Sequence, residues 1–203
     1  MPDLSMPVDR ELQQSRVIDL KGYLRDDGLW DIEGHLVDTK PFSVYHPKYG
    51  VRKPAGVPLH LMKIRLTIDD DMVIQDAEAA TLAAPFDTCL TPAQLFPKLK
   101  GLSLKSGWKK AALELMGGVR GCTHLTEMLG NMATMAYQTL SASRKVIASL
   151  DDLDKISEQP FYVDSCYSYR KDGALIRRLF PQFAKDGDSA TESKNTTGSD
   201  EHK

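Results

Sequence analysis

The sequence predicts an α+β fold: an antiparallel sheet built from hairpins and backed by helices on one face. Three observations carry this expectation. Two alternating segment pairs occupy the first eighty residues, each joined by an acidic turn. Helical spacing dominates from about residue 92 onward. Strands followed by helices, rather than strands alternating with helices, segregate the two classes in one domain.

The first hairpin joins Arg16–Leu24, with Ile18, Leu20 and Leu24 on one face, to Leu29–Asp38, where Trp30, Ile32, Gly34 and Leu36 alternate. Arg25-Asp26-Asp27-Gly28 between them is a turn sequence with a local ion pair, its Asp-Gly step suiting a tight reversal. Residues 41–58 contain Pro41, Pro47, Pro54 and Pro58 and read as a long loop. The second hairpin starts at His60, with Met62, Ile64, Leu66 and Ile68 alternating, and turns at Asp69-Asp70-Asp71. That triplet is expected to be a solvated turn, because it lacks calcium-loop spacing. The return strand, Met72–Thr81, carries Ile74, Asp76 and Glu78 on one side.

A short helix is expected over Pro92–Leu99, with proline in its first turn. A second runs over Gly107–Met116, with Ser106 as N-cap and Gly117 as its stop. The longest runs from Thr123 to about Ala148. Its apolar positions Leu125, Met128, Leu129, Met132, Met135, Ala136 and Leu140 follow the spacing of one buried face, so the methionines are core filler. Beyond it, Tyr162–Tyr169 and Ala174–Phe180 flank a turn at Lys171-Asp172-Gly173. Residues 1–15 read as a flexible arm, 16–183 as a single domain and 184–203 as a disordered polar tail.

Composition narrows the function. A net charge of −2 gives no general attraction to nucleic acid. No apolar run approaches the length of a membrane span, and no signal-peptide core opens the chain, so a cytoplasmic protein is expected. Three cysteines at distant positions argue against a disulfide framework. Ser-based hydrolysis and nucleotide binding lack their motifs. Lys98, Lys100, Lys105, Lys109 and Lys110 form a basic patch, read as a solvated face.

The chemistry-bearing stretch is Gly117-Gly118-Val119-Arg120-Gly121-Cys122-Thr123-His124-Leu125. Its glycines let the chain turn before the long helix, leaving Cys122 near free N–H groups at the helix start. That placement favours the thiolate. Four sites carry soft or borderline ligands: His60, Cys89, Cys122 with His124, and Cys166. Such donors suit zinc, iron or an iron–sulfur cluster better than magnesium or calcium. His35 and His46 are expected to be structural.

Two resemblances follow. The set R-D-D-G-L-W-D-I-E-G-H-L-x-D at 25–38, L-H-x-M at 59–62, G-C-T-H-L at 121–125 and D-S-C at 164–166 resembles a bacterial domain-of-unknown-function family. From His60 to Leu140 the chain is also similar in order to iron–sulfur scaffold proteins of the NifU/IscU type. There Met62-Lys63-Ile64-Arg65-Leu66-Thr67-Ile68-Asp69 with Ile74-Gln75-Asp76-Ala77 stands for the scaffold hairpin. Lys100-Gly101-Leu102-Ser103-Leu104 stands for the helix entry, and Arg120-Gly121-Cys122 for the last cysteine. Cys122 alone matches a scaffold ligand position for position. That resemblance implies a scaffold-like core and a metal or cluster serving a partner metalloenzyme.

The expectation is therefore a metal- or iron–sulfur-binding accessory protein, holding zinc or a cluster through some of His60, Cys89, Cys122, His124 and Cys166. One alternative is an enzyme acting on a small acyl or aromatic substrate, with Cys122 as nucleophile. Helical geometry there favours His60 over His124 as base, because residues two apart on a helix diverge. Another is a binding module for a small aromatic or acyl ligand, using Trp30, Tyr45 and Tyr49.

Overall fold

A computed structural model describes residues 4–141, 153, 156–160 and 162–185. The chain forms two compact units, residues 1–146 and 147–203. The first unit contains a four-stranded antiparallel sheet in the spatial order Ser15–Leu24, Trp30–Thr39, His60–Ile68, Ile74–Ala83. Its strands are β1 (Ser15–Leu24), β2 (Trp30–Thr39), β5 (His60–Ile68) and β6 (Ile74–Ala83). Two further strands, β3 (Val44–His46) and β4 (Val51–Lys53), form a separate small hairpin. The α+β expectation holds.

The alternating residues of β2 and β5 do what alternation requires. Trp30, Ile32, Gly34, Leu36 and Asp38 all face inward and are buried, as are Met62, Ile64, Leu66 and Ile68 of β5. Burying one such side chain stabilises the fold by about 1.5–3 kcal/mol, so the face is strongly specified. The first hairpin turns at Gly28, whose φ of 84° suits glycine. Arg25 donates to both carboxylate oxygens of Asp27 there. The acidic triplet is a turn too. Asp69 Oδ1 accepts from the N–H groups of Asp71 and Val73, and Asp70 accepts from the buried indole N–H of Trp30.

Three local readings change between residues 41 and 99. Ile74 and Asp76 do not share a face, because the pairing steps from Ile68↔Ile74 to Thr67↔Asp76 and leaves Gln75 as a bulge. One extra residue reverses the faces beyond it, so Ala77 is buried and Asp76 and Glu78 are exposed. The proline-containing loop holds β3 and β4, joined by a 3₁₀ turn at Pro47–Tyr49. Within the expected short-helix region the chain takes 3₁₀ geometry over Asp87–Leu99, where Pro92 and Pro97 lack the N–H groups an α-ladder needs.

Helix α1 spans Trp108–Met116 and α2 spans Thr123–Ser141. The N-cap of α1 is Gly107 at φ 88°, with no side-chain cap, rather than Ser106. Its stop at Gly117 is as expected, with the Gly117 N–H on the Leu113 carbonyl. Leu125, Met128, Leu129, Met132 and Ala136 of α2 are buried against the sheet. The two helices are tied by the Trp108 indole N–H on the Leu129 carbonyl. Gly22 and Gly34 let α2 approach. A Cβ on Gly22 would collide with the Thr139 side chain, and one on Gly34 would lie 3.1 Å from Met132 Sδ. The predicted extension of α2 to Ala148 lies outside the described residues, as does the expected tail beyond residue 185.

The second unit packs Val163, Ile176 and Phe180 into a small core. Ala174–Leu179, expected as a return segment after a turn, is the short helix α3. Two adjacent arginines at its end sit where the helix dipole favours positive charge.

Candidate metal centre

Strand register assembles the site. Arg16 of β1 pairs with Asp38 of β2, and Asp38 pairs with His60 of β5. Each continues the inward-facing row of its own strand. The three side chains therefore line up across the sheet at one end of the core, where α2 begins. His124 and Glu127, three residues apart on the first turns of α2, cover the row from above.

Asp38 is the anchor, with its side chain 0% exposed. Arg16 Nε donates to Oδ1 at 2.7 Å and Arg16 Nη2 to Oδ2 at 2.8 Å, a bidentate pair. Arg16 Nη1 also donates to Glu127 Oε2 at 2.6 Å. His60 Nδ1 lies 2.9 Å from Asp38 Oδ2, and His124 Nε2 lies 3.6 Å from the same oxygen. The two imidazoles are tilted by 32° with centroids 3.9 Å apart. Asp38, His60 and His124 thus present one carboxylate oxygen and two imidazole nitrogens within 4.8 Å of one another.

Burial pushes the Asp38 carboxyl up, but the Arg16 hydrogen bonds and charge, with His60, outweigh it and hold the group below its usual value. Asp38 is ionised at neutral pH. His124 is pushed down from 6.5, by burial first and then by the charges of His60 and Arg16. Its imidazole is neutral at pH 7, the form that binds metal or accepts a proton. Arg16 is raised by its hydrogen bonds to Asp38. One arginine faces two carboxylates, leaving an excess negative charge.

Cys122 stands at the edge of this group. Its carbonyl accepts the N–H of Thr126, the first bond of α2, so Cys122 flanks the helix rather than belonging to it. Helical periodicity does not apply to it, and the expected divergence from His124 is not found. Cys122 Sγ lies 3.7 Å from His124 Nδ1. Gly121 makes that placement possible, since a Cβ there would collide with the Met116 carbonyl oxygen.

The structure brings together His60 and His124, with Cys122 beside them. Cys89 is half-buried in the Asp87–Leu99 segment and lies outside the group. Cys166 is exposed in the second unit. No cysteine joins a cluster of three or more ligand side chains among the described residues. Trp30 is a core residue, 4% exposed, and Tyr45 is 70% exposed. The Tyr49 side chain lies outside the description. Asp38, Arg16 and Glu127 complete the group and are not among the sequence-predicted ligands. For Asp38 the signal was present: it is the next residue in the alternation Trp30, Ile32, Gly34, Leu36.

The fold and this cluster define an α+β protein with a buried carboxylate–imidazole group under a helix start. The chain belongs to the family described as protein of unknown function (DUF2889), which it matches over residues 14–138. That span runs from β1 through most of α2. It includes Arg16, Asp38, His60, Cys122, His124 and Glu127 and excludes the second unit. No curated protein and no solved structure matches the chain. Among the described residues, no helix is long and apolar enough to cross a membrane.

Proposed function

We propose that this protein is a cytoplasmic metal-dependent protein that binds one divalent ion, zinc or ferrous iron, through Asp38, His60 and His124. The observation behind this reading is the convergence of two imidazole nitrogens on one buried carboxylate oxygen, at 2.9 and 3.6 Å. Ligands about 2.0–2.1 Å from a shared ion stand roughly 3.0–3.6 Å apart across its coordination angles. Two nitrogens and one oxygen favour zinc or iron(II) over magnesium or calcium. Asp38, His60 and His124 would hold the ion, which would supply Lewis-acid polarisation of a substrate oxygen.

The chain's own residues would fix that group. Arg16 holds the carboxylate plane, Glu127 offsets the Arg16 charge, and Cys122 contacts the second nitrogen of His124, as outer partners of ligating histidines do. A thiolate-bound cluster has less behind it, since no cysteine joins a group of three or more ligand side chains among the described residues. Delivery of the ion to a partner enzyme remains compatible with this donor set.

A second reading rests on a different observation. Cys122 Sγ, the His124 ring and Asp38 Oδ2 form a line, at 3.7 and 3.6 Å, resembling a thiol nucleophile with an oriented base. In that reading His124 takes the Cys122 thiol proton, the thiolate adds to the acyl carbon of a small substrate, and the bond to the leaving group breaks as His124 returns the proton to it, leaving a thioester that water hydrolyses.

Metal content after anaerobic purification separates the two. The metal reading expects about one ion per chain in the native protein and in Cys122→Ala, and none in His60→Ala or His124→Ala. A metal-free native protein whose Tm does not move with added zinc or ferrous iron overturns it. Loss of the ion in Cys122→Ala alone would make the thiol a ligand. Rapid alkylation of Cys122 that slows in His124→Ala would support the nucleophile.

A further inference from the structure

We propose that two copies of this chain pair edge to edge through β1, joining their sheets across a twofold axis at Leu20. Among the described residues no strand pairs with the second edge of β1. The other outer strand is treated differently. Residues around Ile74 exchange hydrogen bonds with Gly101 and Leu102, and Val73 bridges Ser103. Open edges attract another strand unless something blocks them. Here β1 carries no proline and no bulge against β2 over its ten residues. It leaves Val17 55% and Tyr23 45% exposed.

The sequence of β1 says which strand fits. In an antiparallel pair, residues directly opposite share a face. A twofold partner must therefore keep the outward set, Val17, Asp19, Lys21 and Tyr23, opposite itself. Centring on Asp19 sets two aspartates face to face, and centring on Lys21 sets two lysines. Centring on Leu20 sets Asp19 opposite the partner's Lys21 and Val17 opposite the partner's Tyr23, each twice. Opposite charges and β-branched–aromatic pairs are the favourable cross-strand combinations. Within one chain Asp19 and Lys21 already lie 3.0 Å apart, so the dimer would close a four-charge cluster of alternating sign. On the inner face Ile18 meets the partner's Gly22, over which Thr139 of α2 is packed. Arg16 meets the partner's Leu24, which puts the second copy at the flank of the Asp38 cluster. A strand of unrelated sequence would match the open hydrogen bonds but not this palindromic order of charge.

Sedimentation velocity of the full-length protein across the micromolar range tests the proposal. The native chain should be a dimer. Asp19→Lys places like charges at both contacts and should weaken it at least about tenfold. Combining Asp19→Lys with Lys21→Asp restores both opposite pairs and should restore the dimer. Lys21→Asp alone is the reciprocal single variant if Asp19→Lys does not fold, which the tryptophan emission reports. A native protein that stays monomeric overturns the proposal. So does a dimer indifferent to Asp19→Lys, or a double variant that remains as weak as the single one.

Discussion

Replacing Asp38 with asparagine tests the central cluster most directly. The carboxylate is fully buried and accepts from Arg16 Nε at 2.7 Å, Arg16 Nη2 at 2.8 Å and His60 Nδ1 at 2.9 Å. Asparagine keeps the shape but offers one acceptor oxygen and one NH₂, so donors face a donor on one side. Breaking one side of a buried pair costs about 3–5 kcal/mol, and hydrogen bonds to charged groups contribute about 1.5–3 kcal/mol. Arg16 softens the loss, because its side chain is 31% exposed and Glu127 is a second partner. We expect a destabilisation of about 2–4 kcal/mol at pH 7. Both tryptophans of the chain, Trp30 and Trp108, are buried in the first unit, so urea unfolding followed by tryptophan emission reports that unit. Asp38 also has a pH signature. Its lowered value means its contribution is complete above the unfolded value of 3.8 and is lost as pH falls through the folded value. The asparagine variant should therefore show a shallower acid limb. A loss below about 0.5 kcal/mol, the range of an ordinary surface substitution, would refute the reasoning. An unchanged acid limb would do the same.

Two further outcomes follow. The lowered His124 value means that, below pH 6.5, the unfolded chain takes up a proton the folded protein resists. Stability of the first unit should be full above pH 6.5 and decline as pH drops towards the folded value. His124→Gln should flatten that slope in the same urea series, and equal slopes would discount the burial of a neutral imidazole. Gly121→Ala should cost about 1–3 kcal/mol, because the Met116 carbonyl it meets is backbone and cannot swing away. Gly130→Ala, which meets nothing within 4 Å inside α2, should instead gain roughly 0.5–1 kcal/mol. Urea midpoints that move together would refute the contrast.

The sheet was readable because period-two alternation is local: β1, β2 and β5 each declare a buried face without their neighbours, and only β6 does not, past its bulge. The cluster was half readable for the same reason. His60, Cys122 and His124 stood out by residue type and Asp38 continues the inward alternation of β2, whereas Arg16 looks like an ordinary surface charge at a strand end. What makes them partners is register between β2 and β5, which are separated by a 20-residue excursion, 40–59, whose length gives no pairing rule. The Cys122–His124 contact is not legible in the sequence because helix geometry starts one residue later, at Thr123. The bulge at Gln75 was hidden as well, since a polar residue near a turn carries no mark of the extra count. The 3₁₀ path of Asp87–Leu99 was partly visible in its two prolines.

The excursion between β2 and β5 has a consequence of its own. It leaves the sheet just after Asp38 and returns just before His60, and its base is closed by the Leu59 N–H on the Asp38 carbonyl at 2.8 Å. The seam that joins carboxylate and imidazole is also the seam where the excursion is sewn shut. Chain length inside such a closed segment changes its ordering entropy only logarithmically, by about 0.6 kcal/mol per doubling. Residues 43–57, with their small hairpin, therefore form a replaceable cassette. Its length and make-up can change at little cost in ordering entropy while Asp38 and His60 keep their places in the register.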